Sequence, residues 1–503
     1  MENFSKGEKI ALILCLCGSA FMNLLDTTIV NVSIPHIAGS FGVSATDGTW
    51  VITSYAVSEA IMLPLIGWLS KRVGITKLFI SGTLIFAFFS ACCGLSPTFN
   101  TVLFFRVMQG VVGASMIPLS QTLMTSLYPP EKRSFPLGLW SMTVVFAPIV
   151  GPILGGWITD NLNWRWCFYV NVPISIITMG TAYMIYKKNG VKDSTLKLPV
   201  DVWGIVFLAL GVGSLQVMLD KGNQYNWFEN STIVALAISA FIFMGITIIW
   251  ELGKKDAIIN IRLFRHKNFC VGAIGLFTAI AVINAMVVVV PLWLQDYMGY
   301  TSFKSGTTLF YQSIPVLIFA PLLGRYGGRI DARKMMALGF FIMAIISIFV
   351  SPFPSDPSQF YISYTRFLLG IGTGLFFVPA NILALSNLPQ EEMASASGLF
   401  NFMRDLGITF GTAMSTNYWK HQITFFHATL GEAITPGNPN LAGYLAKLPG
   451  NELTKLAIVN EEITKQAVTM AVNQIFYVAG VLMIVLIPFL FVANNTVQSK
   501  KGE

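Results

Sequence analysis

Long apolar runs alternate with short polar connections along almost the whole chain. A helix that crosses the hydrocarbon core of a bilayer needs about 20 apolar residues. Runs of that kind predict fourteen transmembrane helices, near residues 10–33, 49–70, 78–95, 102–127, 136–158, 165–186, 202–219, 231–250, 269–294, 306–324, 335–351, 361–385, 396–416 and 472–494. So many apolar runs with short connections leave no polar faces for water to solvate, which excludes a soluble fold. The expected fold class is an all-α polytopic membrane protein. Lys6 and Lys9 precede the first run as in a secretory signal, but the run continues through Asp26 without a small-residue cleavage site, so a retained first helix is expected.

Two stretches match at a fixed offset. "GWLSKRVGITK" follows the second predicted helix and "GRYGGRIDARK" follows the tenth, placing Gly67, Arg72 and Lys77 on Gly324, Arg329 and Lys334. A second echo pairs "RVMQG" from Arg106 with "RFLLG" from Arg366. Both set helix n opposite helix n+8. The expected organisation is therefore two pseudo-symmetric six-helix bundles around a two-helix insert, with bounds 1–190, 191–255 and 256–503. Repeated halves of this kind are a transporter architecture, with the binding site between them near the midplane. One connection, 417–471, is long, and it reads as a solvated outer cap or partner surface.

Composition sharpens this picture: 54% of residues are hydrophobic and 11% charged, against roughly a quarter charged in soluble domains. The net charge of +8 is a topology signal, because about 22 of the 32 basic residues fall on one side of the predicted membrane. They include Lys71, Arg72, Lys77, Lys132, Arg133, the lysines from 187 to 197, the run from Lys254 to Lys267, and Arg325 to Lys334. Only Arg165, Lys221 and Lys304 occupy the short loops opposite. Both termini are therefore expected in the cytoplasm, and no soluble basic face remains for nucleic acid. The six cysteines have no CxxC spacing and read as apolar packers, so no metal site is expected. No GxxxxGK[ST] motif points to ATP.

The informative residues are polar ones inside apolar runs. In "NLLDTTIVNVSIP", Ser19, Asn23, Thr27 and Asn31 recur one helical turn apart with Asp26 beside them, a polar stripe expected to face a central cavity. An ionised carboxylate there costs about 2.5 to 3.5 kcal/mol on insertion scales, so it needs a reason. Glu59 lies one turn from Tyr55, Arg106 and Gln109 share a helix face with Gly113, and Arg404 adjoins Asp405. Three acids (Asp26, Glu59, Asp405) against three arginines (Arg106, Arg366, Arg404) suit mutual pairing in a low dielectric. Each acid can be read as a static salt-bridge partner or as a group that exchanges protons, since desolvation moves a carboxylate toward the neutral range. "APIVGPILGGW" places Pro148, Gly151, Pro152, Gly155 and Gly156 in the fifth helix, expected to act as close packing, a kink, or a bendable seam between the halves.

Taken together, "LDTTIVNVSIP", "GWLSKRVG", "FFRVMQGVVGASMIPLSQ", the stretch from "YPPEKRSF" through "APIVGPILGGWITDNLNWRWCFYVNVP", and "LQDYMGYTSFKSG" resemble the fourteen-helix drug:proton antiporter branch of the major facilitator superfamily. Within it, the likeness is to inner-membrane subunits of tripartite multidrug efflux systems, and it covers nearly the whole chain. The resemblance implies a secondary transporter, not an enzyme, that exports hydrophobic or amphipathic compounds from the bacterial inner membrane by alternating access. Protons would be the coupling ion, with no other cofactor. A periplasmic adaptor and an outer-membrane channel would be its partners. It carries over a helix 1 acidic motif at Asp26, a helix 4 arginine motif at Arg106, an antiporter motif at Gly151, Pro152, Gly155 and Gly156, and a helix 13 arginine at Arg404. The loop motif keeps Gly67, Arg72 and Gly74. It departs at Lys71, where the family carries the aspartate on which a cytoplasmic charge-relay lock would be built.

The expected proton-coupling set is thus Asp26, Glu59, Arg106, Arg404 and Asp405, with Asn23, Thr27, Asn31 and Gln109 as polar anchors for substrate. Three rivals stand beside export, one of them a channel or purely structural subunit, in which acid-to-amide changes would leave transport uncoupled from pH. A proton:solute symporter is disfavoured by the Gly/Pro pattern of helix 5. A membrane-embedded enzyme is disfavoured because the four histidines (36, 266, 421 and 427) all fall in loops or at helix ends.

Overall fold

The computed structural model describes residues 4–129, 133–254, 257–326, 330–386, 388–432, 434–435 and 439–495. Thirteen helices among the described residues are long and apolar enough to cross a membrane. They are α1 (Lys6–Phe41), α2 (Thr46–Val73), α3 (Ile75–Leu95), α4 (Phe99–Ser126), α5 (Ser134–Asn161), α6 (Trp166–Lys188), α7 (Val202–Lys221), α8 (Ser231–Leu252), α9 (Lys267–Asp296), α10 (Phe303–Arg325), α11 (Ala332–Val350), α12 (Gln359–Leu385) and, last in the chain, α14 (Glu452–Leu490). The remaining expected span, 396–416, lies inside a 39-residue helix, α13 (Met393–Gly431). It is too polar to count as apolar because it carries Asn401, Arg404 and Asp405.

Local chemistry explains the helix ends. Ser5 and Glu8 form a reciprocal capping box that starts α1, and Gly42 ends it with φ 66°, a left-handed residue that glycine adopts without strain. Pro64 removes a backbone donor in mid-α2, where the helix tightens into a 3₁₀ turn over Leu63–Leu65. Gly74 turns the chain from α2 into α3 at φ 100°.

The connection expected over 417–471 is mostly helix. α13 runs on to Gly431 and α14 begins at Glu452, with a short helix at Pro439–Lys447 between them. The two extensions lean on each other through His427 Nε2 and Asn460 Oδ1, 3.1 Å apart. Charged residues spaced along "NELTKLAIVNEEITKQAV" solvate a helix as readily as a loop, which is why apolarity alone ended the predicted span too soon.

Packing repeats at the interval the sequence echoes suggest. α1 packs on α4, α5 and α6, α2 on α4, and α3 on α4 and α6. Eight helices later, α9 packs on α12, α13 and α14, α10 on α12, and α11 on α12 and α14. α7 and α8 pack on each other, and α7 also reaches α2 and α13. Where the two sets of helices meet, small residues allow backbone contact. A Cβ on Gly67 would sit 2.4 Å from Ser395 Cα, and one on Gly324 would sit 2.8 Å from Ser134 O. The two glycines of the repeat thus do the same work on opposite sides. Arg329, the next echoed position, lies outside the described residues.

Candidate functional site

Asp26 sits in the middle of α1 and is fully buried, as is Arg106 on α4. Arg106 Nη1 donates to Asp26 Oδ2 at 2.5 Å and to Gln109 Oε1 at 2.8 Å, and its Nε donates to Val51 O at 3.0 Å. Gln109 and Asn171 each donate to Asp26 Oδ1, at 3.1 and 2.7 Å. A buried ion pair in this setting repays its desolvation only because its remaining lone pairs and protons are taken up in this way. The guanidinium also lies 4.3 Å from the centre of the Tyr55 ring.

Tyr55 carries the network to the next acid. Its hydroxyl donates to Glu59 Oε1 at 3.2 Å and accepts from Asn23 Nδ2 at 2.8 Å. Asn23 Nδ2 also reaches Glu59 Oε1 at 3.0 Å and Gly113 O at 3.2 Å. Glu59 has no ion pair among the described residues, and every hydrogen bond it accepts falls on Oε1. Three buried atoms in this region lack partners: Arg106 Nη2, Asn23 Oδ1 and Asn171 Oδ1. These atoms are where the network keeps unused hydrogen-bonding capacity.

The expected mutual pairing of three acids with three arginines holds for two pairs. Arg404 and Asp405, neighbours on α13, pair with each other at 2.8 Å. Arg366 is fully buried without an acid: it donates to Met286 O at 3.1 Å and Gln312 Oε1 at 3.4 Å, and lies 5.2 Å from the Phe476 ring.

The polar stripe on α1 does not line a cavity along its whole length. Ser19, Asn23 and Asp26 are buried against α2, α3, α4 and α6, Thr27 is half-buried and bonded to Leu24 O, and only Asn31 is exposed. Asn23 and Gln109, expected as substrate anchors, are instead committed to holding the two carboxylates, because a helix with one polar face buries it wherever charge must be solvated. The glycines of α5 make the close packing that was one of their expected readings, and they make it against α1. A Cβ at Gly151 would meet Thr28 Oγ1 at 1.9 Å and one at Gly155 would meet Ile29 O at 2.6 Å, so this face fits against α1 within its own set of helices. Gly156 is looser, with Val32 at 3.9 Å, and α5 stays continuous through Pro148 and Pro152. Contact across the seam comes lower on α5, where Gly138 meets Ala320 and Gly324. In the loop motif, Gly74 makes room for Asp193, and Arg72 is exposed over the Trp68 ring.

Sequence reasoning passed over the amides that complete the site. Asn171, a lone asparagine in the apolar run "FYVNVPIS", carries the same signal as Asp26 in its run. A second cluster crosses the seam near the basic end of the helices. Gln121 donates to Asn381 at 2.7 Å and accepts from Ser397 and, at 3.1 Å, from Asn401.

Membrane-length helices whose packing repeats eight helices apart, around a buried carboxylate–guanidinium network, mark a multi-pass membrane protein, and its family makes it a transporter rather than an enzyme. The chain belongs to the Major Facilitator Superfamily, which it matches over residues 16–412. It is 37% identical over 492 residues to Multidrug export protein EmrB of Escherichia coli (strain K12), covering 97% of this chain and 96% of that one. It is likewise 37% identical over 501 residues to Fatty acid resistance protein FarB of Neisseria gonorrhoeae, covering 99% and 98%. Among solved structures it is similar to the proton:xylose symporter XylE, with a TM-score of 0.62, 98% of each chain covered and 13% identity, a likeness that shows the fold alone.

Proposed function

We propose that this transporter exports hydrophobic and amphipathic compounds in exchange for protons. The observation that carries the reading is the continuous network from Asp26 and Arg106 through Tyr55 and Asn23 to Glu59, in a chain so similar to a multidrug export protein. Residues 1–190 and 256–503 act as two six-helix bundles that rock about the seam, residues 191–255 form the insert, and α13 is the fourteenth span. Both termini face the cytoplasm of a bacterial inner membrane, because the basic residues gather at that end.

In the cycle, Glu59 is the proton carrier because it has no ion pair among the described residues, whereas the Asp26 carboxylate is engaged by Arg106. Neutralising Glu59 weakens its hold on Asn23 and Tyr55, and the ring of Tyr55 lies over Arg106, so the change reaches Asp26. Arg404 and Asp405 are close enough for their charges to act on Glu59, which ties α13 to the same event. Substrate meets the apolar wall and the polar groups left accessible, Thr27 and Asn31. One charge crossing 100 mV supplies about 2.3 kcal/mol, enough for roughly a fiftyfold gradient. The paired extensions of α13 and α14 are the surface for a periplasmic adaptor, and through it an outer-membrane channel.

The test is accumulation of a chemically diverse dye panel in cells with and without the protein, before and after the proton gradient is collapsed. Export should require the gradient, and in proteoliposomes Glu59→Gln should uncouple substrate movement from protons. Proton entry together with substrate in the same direction would establish a symporter and end this reading.

A further inference from the structure

A cavity of about 1210 Å³ opens at the basic end of the helices, between the ends of α2 and α4, the linker from α6 to α7, and the start of α13. Lys9, Lys71, Lys192 and Arg133 line it. Lys9, Lys71 and Lys192 form no ion pair among the described residues; Lys9 lies 5.6 Å from the Tyr128 ring. Two acids share the wall. Asp193 is already committed, its two oxygens accepting the backbone N–H groups of Thr76 and Lys77 at 3.1 and 2.9 Å, and Glu391 is exposed.

The cavity has a second, independent source of positive potential. α13 begins here with Glu392 at its cap position and no side-chain cap, and Ala394 in its first turn is part of the lining. The N–H groups of a helix start carry about half a positive charge and bind anions readily. Three lysines with no ion pair among the described residues thus share one cavity with a helix start whose potential the Glu391 and Glu392 carboxylates offset only in part. The lining also includes apolar side chains, among them Phe4, Leu127 and Leu196, which can cover the acyl end of a lipid.

We propose that this cavity binds a phosphate-bearing anion, held by Lys71, Lys192 and Lys9 against the start of α13. The phosphate would touch α2 on one side of the seam and α13 on the other. Its source is either the headgroup of an anionic phospholipid or a free phosphate; the chemistry of recognition is the same.

The experiment uses the full-length protein in phosphatidylcholine nanodiscs and follows the thermal midpoint against two probes: inorganic phosphate, and short-chain phosphatidylglycerol. A ligand that binds the folded state raises the midpoint with its concentration, which yields an affinity. A lysine near a bound anion is worth about fivefold in affinity, so Lys71→Glu should weaken binding by roughly thirtyfold and Lys71→Gln by about fivefold. Lys192→Glu, in the linker, provides a variant independent of α2 packing, and Lys420→Glu, exposed on α13 far from the cavity, should leave the affinity unchanged. A response to phosphate alone assigns a soluble ligand, and a response to phosphatidylglycerol alone assigns a lipid headgroup. No response to either probe, or equal affinities for the parent protein, Lys71→Glu and Lys192→Glu, would overturn the proposal.

Discussion

Replacing Asp26 with asparagine is the sharpest perturbation the structure offers. The carboxylate lies in a fully buried site where Arg106, Asn171 and Gln109 donate to it at 2.5, 2.7 and 3.1 Å. The amide keeps the shape but removes the charge, and it turns donors toward donors. Arg106 is left as a buried cation whose Nη2 already lacks a partner. Breaking a buried pair from one side costs about 3–5 kcal/mol, because the stranded charge is not compensated. Arg106→Gln should cost a similar amount for the mirror-image reason. The double variant, which removes both charges, should be less destabilised than the sum of the singles, with a coupling energy of about 2–3 kcal/mol. Denaturant unfolding of the purified protein in mixed micelles, followed by tryptophan fluorescence, measures all four corners of the cycle. Additive singles, or an Asp26→Asn cost below about 1 kcal/mol, would refute the argument that the pair is a closed electrostatic unit.

Three further predictions follow from other parts of the fold. Gly151→Ala clashes with the Thr28 side chain whereas Gly155→Ala clashes with the Ile29 carbonyl, so each should cost about 1–3 kcal/mol, but Thr28→Ala, which removes the 1.9 Å contact and leaves the Thr28 Cβ at 2.7 Å, should relieve part of the cost of the first and none of the second; equal relief would show that α1 and α5 are not in this register. At the start of α7, burial pushes Asp201 up, but hydrogen bonds from Lys254, Trp250 and the Gly204 N–H outweigh it and hold its carboxyl below the usual range. A depressed folded-state pKa gives stability that is present above about pH 4 and lost as pH falls through the lower folded value. Acid titration of Trp250 fluorescence should thus show a transition below about pH 4 that Asp201→Asn abolishes; a transition that survives in Asp201→Asn would place its origin elsewhere. Finally, Gln216 Nε2 donates to Thr409 Oγ1 at 2.7 Å, fastening α7 to α13. A cysteine pair at these two positions should halt transport when oxidised and restore it when reduced, and undiminished transport by the fully cross-linked protein would mean that α7 travels with α13 through the cycle.

How far the sequence reveals this molecule depends on whether a property is local. Apolar runs predict fourteen spans, and thirteen helices among the described residues are long and apolar enough to cross a membrane, because a helix satisfies its own backbone groups in lipid. Apolar length underestimates α13 and the start of α14, where charged residues hide a helix that continues beyond the apolar run. Asp26 and Arg106 stand out as costly residues, and the structure brings them together. Their ligation by Asn171 is invisible to periodicity because it joins helices 145 residues apart in the chain. The same holds for the glycines of α5: the sequence shows that something must approach closely, but only packing shows that it is α1.

Arg366 shows what the repeat conceals. It matches Arg106 in sequence and, like it, is fully buried and donates to its neighbours, yet at the place where Arg106 meets the Asp26 carboxylate Arg366 meets only the backbone carbonyl of Met286. The two halves therefore keep the cation and differ in the acid. Under the proposed proton exchange, a buried acid facing this repeated arginine in one half alone leaves Asp26 and Glu59 as the candidate acids there, while Asp405 of the other half is paired with its neighbour Arg404. Installing an acid opposite Arg366, as in Met286→Asp, should then satisfy the lone cation and raise stability while blunting the pH dependence of transport. A Met286→Asp protein that is less stable than its parent would show that Gln312, the Met286 carbonyl and the Phe476 ring already satisfy Arg366 in full.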